Sequence, residues 1–133
     1  MATQVESANL LLKLYDLRRE EKLRESRTWW NKFKPKTFED VKNAAYGPDS
    51  LKFRMALGYW EMAAAIVNHD AIDSSLFFET TGELLFIYVK LQPFIKEIRQ
   101  QEPTQLMQIE KLLKKMPDAE KRLAHIKMII EKM

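Results

Sequence analysis

Five charged or polar side chains recur at a seven-residue interval inside otherwise apolar stretches of the sequence. Arg54, Glu61 and Asn68 follow one another in this way, and Glu83 and Lys90 repeat the interval. Because seven residues make about two helical turns, each set falls on one side of a helix. Charges on a buried helix must be paired, or their pKa values shift.

Two kinds of chemistry fit these residues. Glu61 and Glu83, if antiparallel helices bring them together, form a carboxylate pair suited to acid–base catalysis or to a metal ion. The interpretation that we favour is structural, with one ion pair between Arg54 and Glu83. A second pair, between Glu61 and Lys90, would complete a buried polar network that fixes the helix register.

The sequence shows no recognised catalytic, cofactor-binding or metal-binding motif. A helical di-metal site uses Glu-x-x-His, whereas Glu61 and His69 are eight residues apart and Glu120 and His125 are five apart. With no cysteine there is no disulfide, thiolate zinc site or cysteine nucleophile, and the three glycines are isolated. We therefore expect a protein that is not an enzyme and that uses no cofactor or metal.

A basic and aromatic segment occupies residues 18–36, where eight cations face three acids although the whole chain has a net charge of only +3. Such a segment could bind phosphates and stack bases, or lie on an anionic membrane surface. This candidate surface for an anionic partner comprises Arg18, Arg19, Lys22, Arg24, Arg27, Trp29, Lys32, Lys34 and Lys36. The interpretation that we favour is a solvated helix face, because Glu and Arg alternate at helical spacing and can pair.

The elements that hold these residues are predicted to be helices. A chain of 133 residues is the length of one domain, and 46% hydrophobic residues suffice for a core. Only three glycines and five prolines interrupt a composition rich in helix formers. We predict an all-α fold, a single domain over residues 1–133 with five to six helices, whose third and fourth helices form the centre.

The first helix is predicted to be long, from a capping box at Thr3 and Glu6 to about Phe33, or about 45 Å. Two sets of apolar residues lie along it. We expect the core to receive Val5, Ala8, Leu12 and Tyr15 and a second apolar face to hold Leu10, Leu11, Leu14 and Leu17. Since soluble monomers rarely expose such a face, we predict a homodimer through this helix. The competing account folds the last helix back over the second face.

The sequence predicts neither a membrane span nor a signal peptide. The longest apolar run, Leu84 to Val89, has six residues, which is too short to cross a bilayer. The apolar stretch near the start is interrupted by polar residues and is not followed by a small-residue cleavage site. We expect a soluble cytoplasmic protein.

Three stretches of the sequence resemble a family of small, uncharacterised bacterial proteins of an acidobacterial type. They are Leu10 to Arg19 (LLLKLYDLRR with its first residue at 10), Leu57 to Asp73 (LGYWEMAAAIVNHDAID) and Leu91 to Phe94 (LQPF). The resemblance implies an all-helical fold and a bacterial cytoplasmic origin. It implies no activity and no functional residues.

These observations favour a protein that works by contact with other proteins. We expect a protein–protein interaction or structural module, with a second copy of the chain or another protein as its partner. The alternative is a binder of nucleic acid or of an anionic membrane surface through residues 18–36.

Overall fold

The computed structural model describes residues 2–133, and every regular element in this range is helical. The helices are α1 (Gln4–Leu17), α2 (Glu21–Lys32), α3 (Phe38–Tyr46), α4 (Ser50–Asn68), α5 (Ser74–Thr80), α6 (Glu83–Leu91), α7 (Ile95–Gln101), α8 (Met107–Leu113) and α9 (Ala119–Lys132), with a 3-10 turn at Gln92–Phe94. The prediction of an all-α fold is confirmed, while five to six helices was too few. The single domain over residues 1–133 stays a prediction.

The predicted long first helix is wrong, because the chain turns after Leu17. The amides of Arg18 and Arg19 bond to carbonyls only three residues back, which tightens the end of α1. Glu20 then caps α2, since its carboxylate accepts a hydrogen bond from the amide of Leu23 at 2.8 Å. Because glutamate is a good helix former, its position here predicts helix continuation and not a cap.

The fourth helix, predicted from Asp73 as its N-cap to about Gln92, is also divided. Asp73 caps its first part, α5, as expected, by accepting from the amide of Leu76 at 2.9 Å. Thr81 and Gly82 then adopt non-helical conformations between α5 and α6. The direction of α6 is therefore independent of the turn that joins α4 to α5.

The centre of the fold is α4, which packs mainly on α2 and α8. Trp60 and Phe53 bring bulk to this core, while Ala56, Ala63 and Ala64 have no exposed surface. Small side chains allow neighbouring helices to approach α4 closely. Most of α6 is buried as well, so the predicted central pair of helices corresponds to α4 and α6.

The contact between α2 and α4 depends on a buried serine. The hydroxyl of Ser26 donates to the carbonyl of Lys52 and accepts from the amide of Ala56 at 2.9 Å. These two backbone groups are the ones that a regular helix would bond to each other. One turn further along α2, the indole Nε1 of Trp30 donates to the carbonyl of Phe53 at 3.2 Å.

This geometry predicts different effects for two substitutions of Ser26. Ser26→Ala should lower the free energy of unfolding by only about 1 kcal/mol. The loss is small because the carbonyl of Lys52 and the amide of Ala56 can then bond to each other within α4. Ser26→Leu should cost about 1–3 kcal/mol more, because a larger side chain forces α2 away from α4. Urea unfolding measures both, with Ser75→Leu on the exposed side of α5 as the control. Equal stability of the two Ser26 variants would contradict the close approach.

Candidate interaction site

The predicted network of Arg54, Glu61, Glu83 and Lys90 does not form, and its first ion pair is absent. Glu83 is bound by Arg27, whose Nε lies 2.9 and 3.0 Å from the two carboxylate oxygens. The guanidinium of Arg18 is 4.0 Å from the same carboxylate. Arg54 instead pairs with Glu102 at 3.3 Å, on the exposed side of α4.

The second predicted pair is absent as well. Glu61 accepts from the amides of Ile109 at 2.9 Å and Gln108 at 3.4 Å, and thereby caps the start of α8. Burial raises the pKa of the Glu61 carboxyl, and these two hydrogen bonds oppose the rise. Lys90 is buried and its ammonium donates to the carbonyl of Trp30, near the end of α2.

The reason for both errors is the break between α5 and α6. The predicted pairing assumed two continuous antiparallel helices. In the structure α5 ends at Thr80, Thr81 is extended, and α6 is a separate helix that begins at Glu83. Glu61 and Glu83 consequently have separate partners and do not form a carboxylate pair. The sequence pattern did identify residues that tie helices together, but it assigned them the wrong partners.

Two of the predicted anionic-partner residues point inward. The guanidinium of Arg18 lies over the rings of Tyr15 at 4.6 Å and Trp60 at 5.3 Å, besides its approach to Glu83. Arg27 is bound to Glu83 and also donates to the carbonyl of Arg18 at 3.4 Å. These two arginines hold α1, α2, α4 and α6 together. The cations that remain exposed are Arg19, Lys22, Arg24, Lys32, Lys34 and Lys36.

Trp29 is half-buried and belongs to an aromatic cluster. Its ring stacks on Phe33 with 4.6 Å between centroids and meets Trp30 and Phe53 edge-on. An open groove of about 610 Å³ lies beside it, between α2 and the start of α4. The groove is lined by Glu21, Arg24, Glu25, Thr28, Trp29, Lys32 and Lys52. The sequence prediction missed Lys52, because it lies on another helix and outside the basic segment.

The predicted assignment of the two faces of α1 is wrong. Of the second face, Leu10 and Leu11 are half-buried and Leu17 is 51% exposed. Leu14 is buried at 6% exposure, whereas Val5, Leu12 and Tyr15 are 70%, 65% and 59% exposed. Polar contacts fix this orientation, since the hydroxyl of buried Ser7 accepts from the amide of Asp73 at 3.1 Å. Apolar spacing alone could not show it.

The exposed stripe of α1 comprises Val5, Ala8, Leu12 and Tyr15, with Ala8 half-buried. The last helix packs on α6 and covers neither this stripe nor the second face of Leu10, Leu11, Leu14 and Leu17. The competing account of the sequence analysis is therefore wrong. Large exposed apolar side chains on one helix face are typical of interaction surfaces.

Residues 2–133 contain neither a metal-binding cluster nor a helix that could span a membrane. No cluster of three or more His, Cys, Asp or Glu residues in that range is arranged to hold a metal ion. In the same range, none of the helices combines the length and apolar character that a bilayer span requires.

A family model described as a domain of unknown function (DUF4760) matches residues 3–116. The chain belongs to this family. The matched residues include α1 to α8 and end before α9. No curated protein and no solved structure matches the chain. The resemblance to an uncharacterised family is confirmed, while the bacterial origin that it implied stays a prediction.

Lys90 gives a pH prediction, because burial and the nearby Lys34 cation lower its pKa from 10.5 to about 8. Between these two values the unfolded chain holds this proton and the folded chain does not. The free energy of unfolding should therefore rise with pH across this window, relative to Lys90→Met. Urea unfolding at pH 7 to 10.5 measures the difference, with Lys42→Met on the surface as control. A difference independent of pH would contradict the burial of the ammonium.

Proposed function

We propose that this member of the DUF4760 family works by contact with other proteins, and that one partner is a second copy of the chain. The observation that carries the proposal is the exposed stripe of α1. Its members Val5, Ala8, Leu12 and Tyr15 alternate at intervals of three and four residues. This spacing is that of the seam between two helices in a coiled coil.

An antiparallel pair of α1 helices suits this stripe. About a two-fold axis near Leu10, Val5 would face the partner's Tyr15 and Ala8 would face the partner's Leu12. Each contact then joins a small side chain to a large one, which allows close packing.

The size of α1 limits the strength of such a contact. The helix has 14 residues and presents only one face, whereas a standard interface uses about 20–30 residues a side. We therefore expect a weak dimer with a dissociation constant in the micromolar range or above. A partner protein with its own amphipathic helix could use the same stripe by the same packing.

The effect of a substitution on self-association can be separated from its effect on folding, because Leu12 of α1 is exposed and Leu14 is buried. Leu12→Lys should abolish self-association and leave the thermal stability nearly unchanged, while Leu14→Lys should strongly destabilise the fold. Sedimentation equilibrium from micromolar to several hundred micromolar measures the mass. A constant mass of 15.8 kDa for the unsubstituted chain would rule the dimer out.

A second candidate function rests on the groove beside Trp29. Arg24, Lys32 and Lys52 line this groove together with the half-buried ring of Trp29, which stacks on Phe33. Cations around an exposed aromatic face are the arrangement that binds single-stranded nucleic acid. Glu21 and Glu25 line the same groove and oppose this binding, which places this function second.

Binding of a mixed-sequence single-stranded oligonucleotide at low salt tests this second function. Lys32→Glu and Lys52→Glu should each reduce the affinity several-fold and lower the salt dependence, because each removes a phosphate contact. Lys42→Glu, an exposed lysine of α3 outside the groove, should have a smaller effect. Equal effects of all three would indicate attraction to net charge alone. Binding to anionic vesicles in place of the oligonucleotide would identify a membrane surface instead.

A further inference from the structure

The last helix is loosely attached to the rest of the fold. α9 packs chiefly on α6, and Ile126 is the residue of α9 that is fully buried. Leu123 and Ile130 complete the apolar face that contacts the core, and both are half-buried. This spacing makes α9 an amphipathic helix laid along the surface of α6.

Few polar contacts hold α9 in place. Arg122 donates to the sulfur of Met116, within the same end of the chain, and Lys34 donates to the carbonyl of Met133. Across residues 2–133, no ion pair joins α9 to another helix. The attachment of α9 therefore depends on one apolar face.

That apolar contact is also incompletely packed. An open groove of about 510 Å³ runs beside α9, bounded by Phe86 of α6 and by Ile126 and Ile129 of α9. Phe86 and Val89 are half-buried while most of α6 is fully buried. The side of α6 that faces α9 is thus apolar and accessible.

The connection between α8 and α9 has the features of a hinge. Met116 is buried and anchors the end of α8, and Pro117 and Asp118 follow it on the surface. Asp118 has a φ of 55°, in the left-handed region that non-glycine residues rarely adopt. Its side chain makes no capping hydrogen bond to α9. An extended conformation at Asp118 would remove this strain.

We propose that α9 is exchanged between two copies of the chain, so that α9 of each copy docks on α6 of the other. Opening the hinge exposes the same apolar faces in both copies, and each face meets an identical surface after the exchange. The match to the family ends at residue 116, before α9. This inference does not rest on the contact through α1.

Engineered cysteines test the exchange cleanly, because the natural chain has none. One chain carries Phe86→Cys and a second, of different mass, carries Ile129→Cys, two positions that line one groove. Both also carry Leu12→Lys, which removes the contact through α1. The two chains are unfolded together, refolded at high concentration and treated with a short bis-maleimide. Exchange predicts a covalent heterodimer of the two chains.

Two controls make the result decisive. A single chain with both cysteines should give an intramolecular cross-link, which shows that the positions are within reach. A chain with Lys42→Cys mixed with the Ile129→Cys chain measures random collision. If the Phe86→Cys pair gives no more heterodimer than this control, exchange does not occur. Val89→Cys replaces Phe86→Cys if the latter fails to fold, and absence of the intramolecular product would overturn the docking of α9 on α6 itself.

Discussion

The burial of α4 between α2 and α8 is the constraint on which the arrangement of the other helices depends. A helix packed on two sides needs small side chains where its neighbours approach. The side chains of α4 end at Cβ at three fully buried positions, Ala56, Ala63 and Ala64. The approach of α2 is then so close that Ser26 bonds to the backbone of α4. On the other side, Glu61 binds amides at the start of α8.

The charged side chains that reach into the fold follow from the same constraint. Glu83 binds Arg27 of α2 and lies near Arg18 at the turn between α1 and α2, while Lys90 donates to a carbonyl near the end of α2. A cation there is favoured by the helix dipole, although its burial is costly. Each of these charges joins two or more helices through a defined geometry. Their bonding capacity is therefore directed to holding the helices together.

Local signals in the sequence were sufficient for the helical class and for several helix starts. The capping box at Thr3 and the cap at Asp73 form as predicted. The cap at Glu20 could not be foreseen, because a glutamate reads as a helix former. The buried pairs were mispredicted for two reasons. Glu61 and Lys90 bind backbone groups, whose positions a pattern of side chains does not encode. Arg54 and Glu83 pair with side chains outside the two helices that were considered.

The two surfaces argued to bind other chains differ in their relation to the family. The exposed stripe of α1 lies within the matched residues, whereas α9 lies beyond them. A contact through α1 therefore requires only the part of the chain that defines the family. Exchange of α9 requires the hinge at Pro117 and Asp118 and the helix that follows. Because the stripe of α1 is exposed while α9 is docked, the first contact forms without unfolding and the second must open the fold first. Contact through α1 should consequently be fast and reversible, and exchange of α9 slow and persistent.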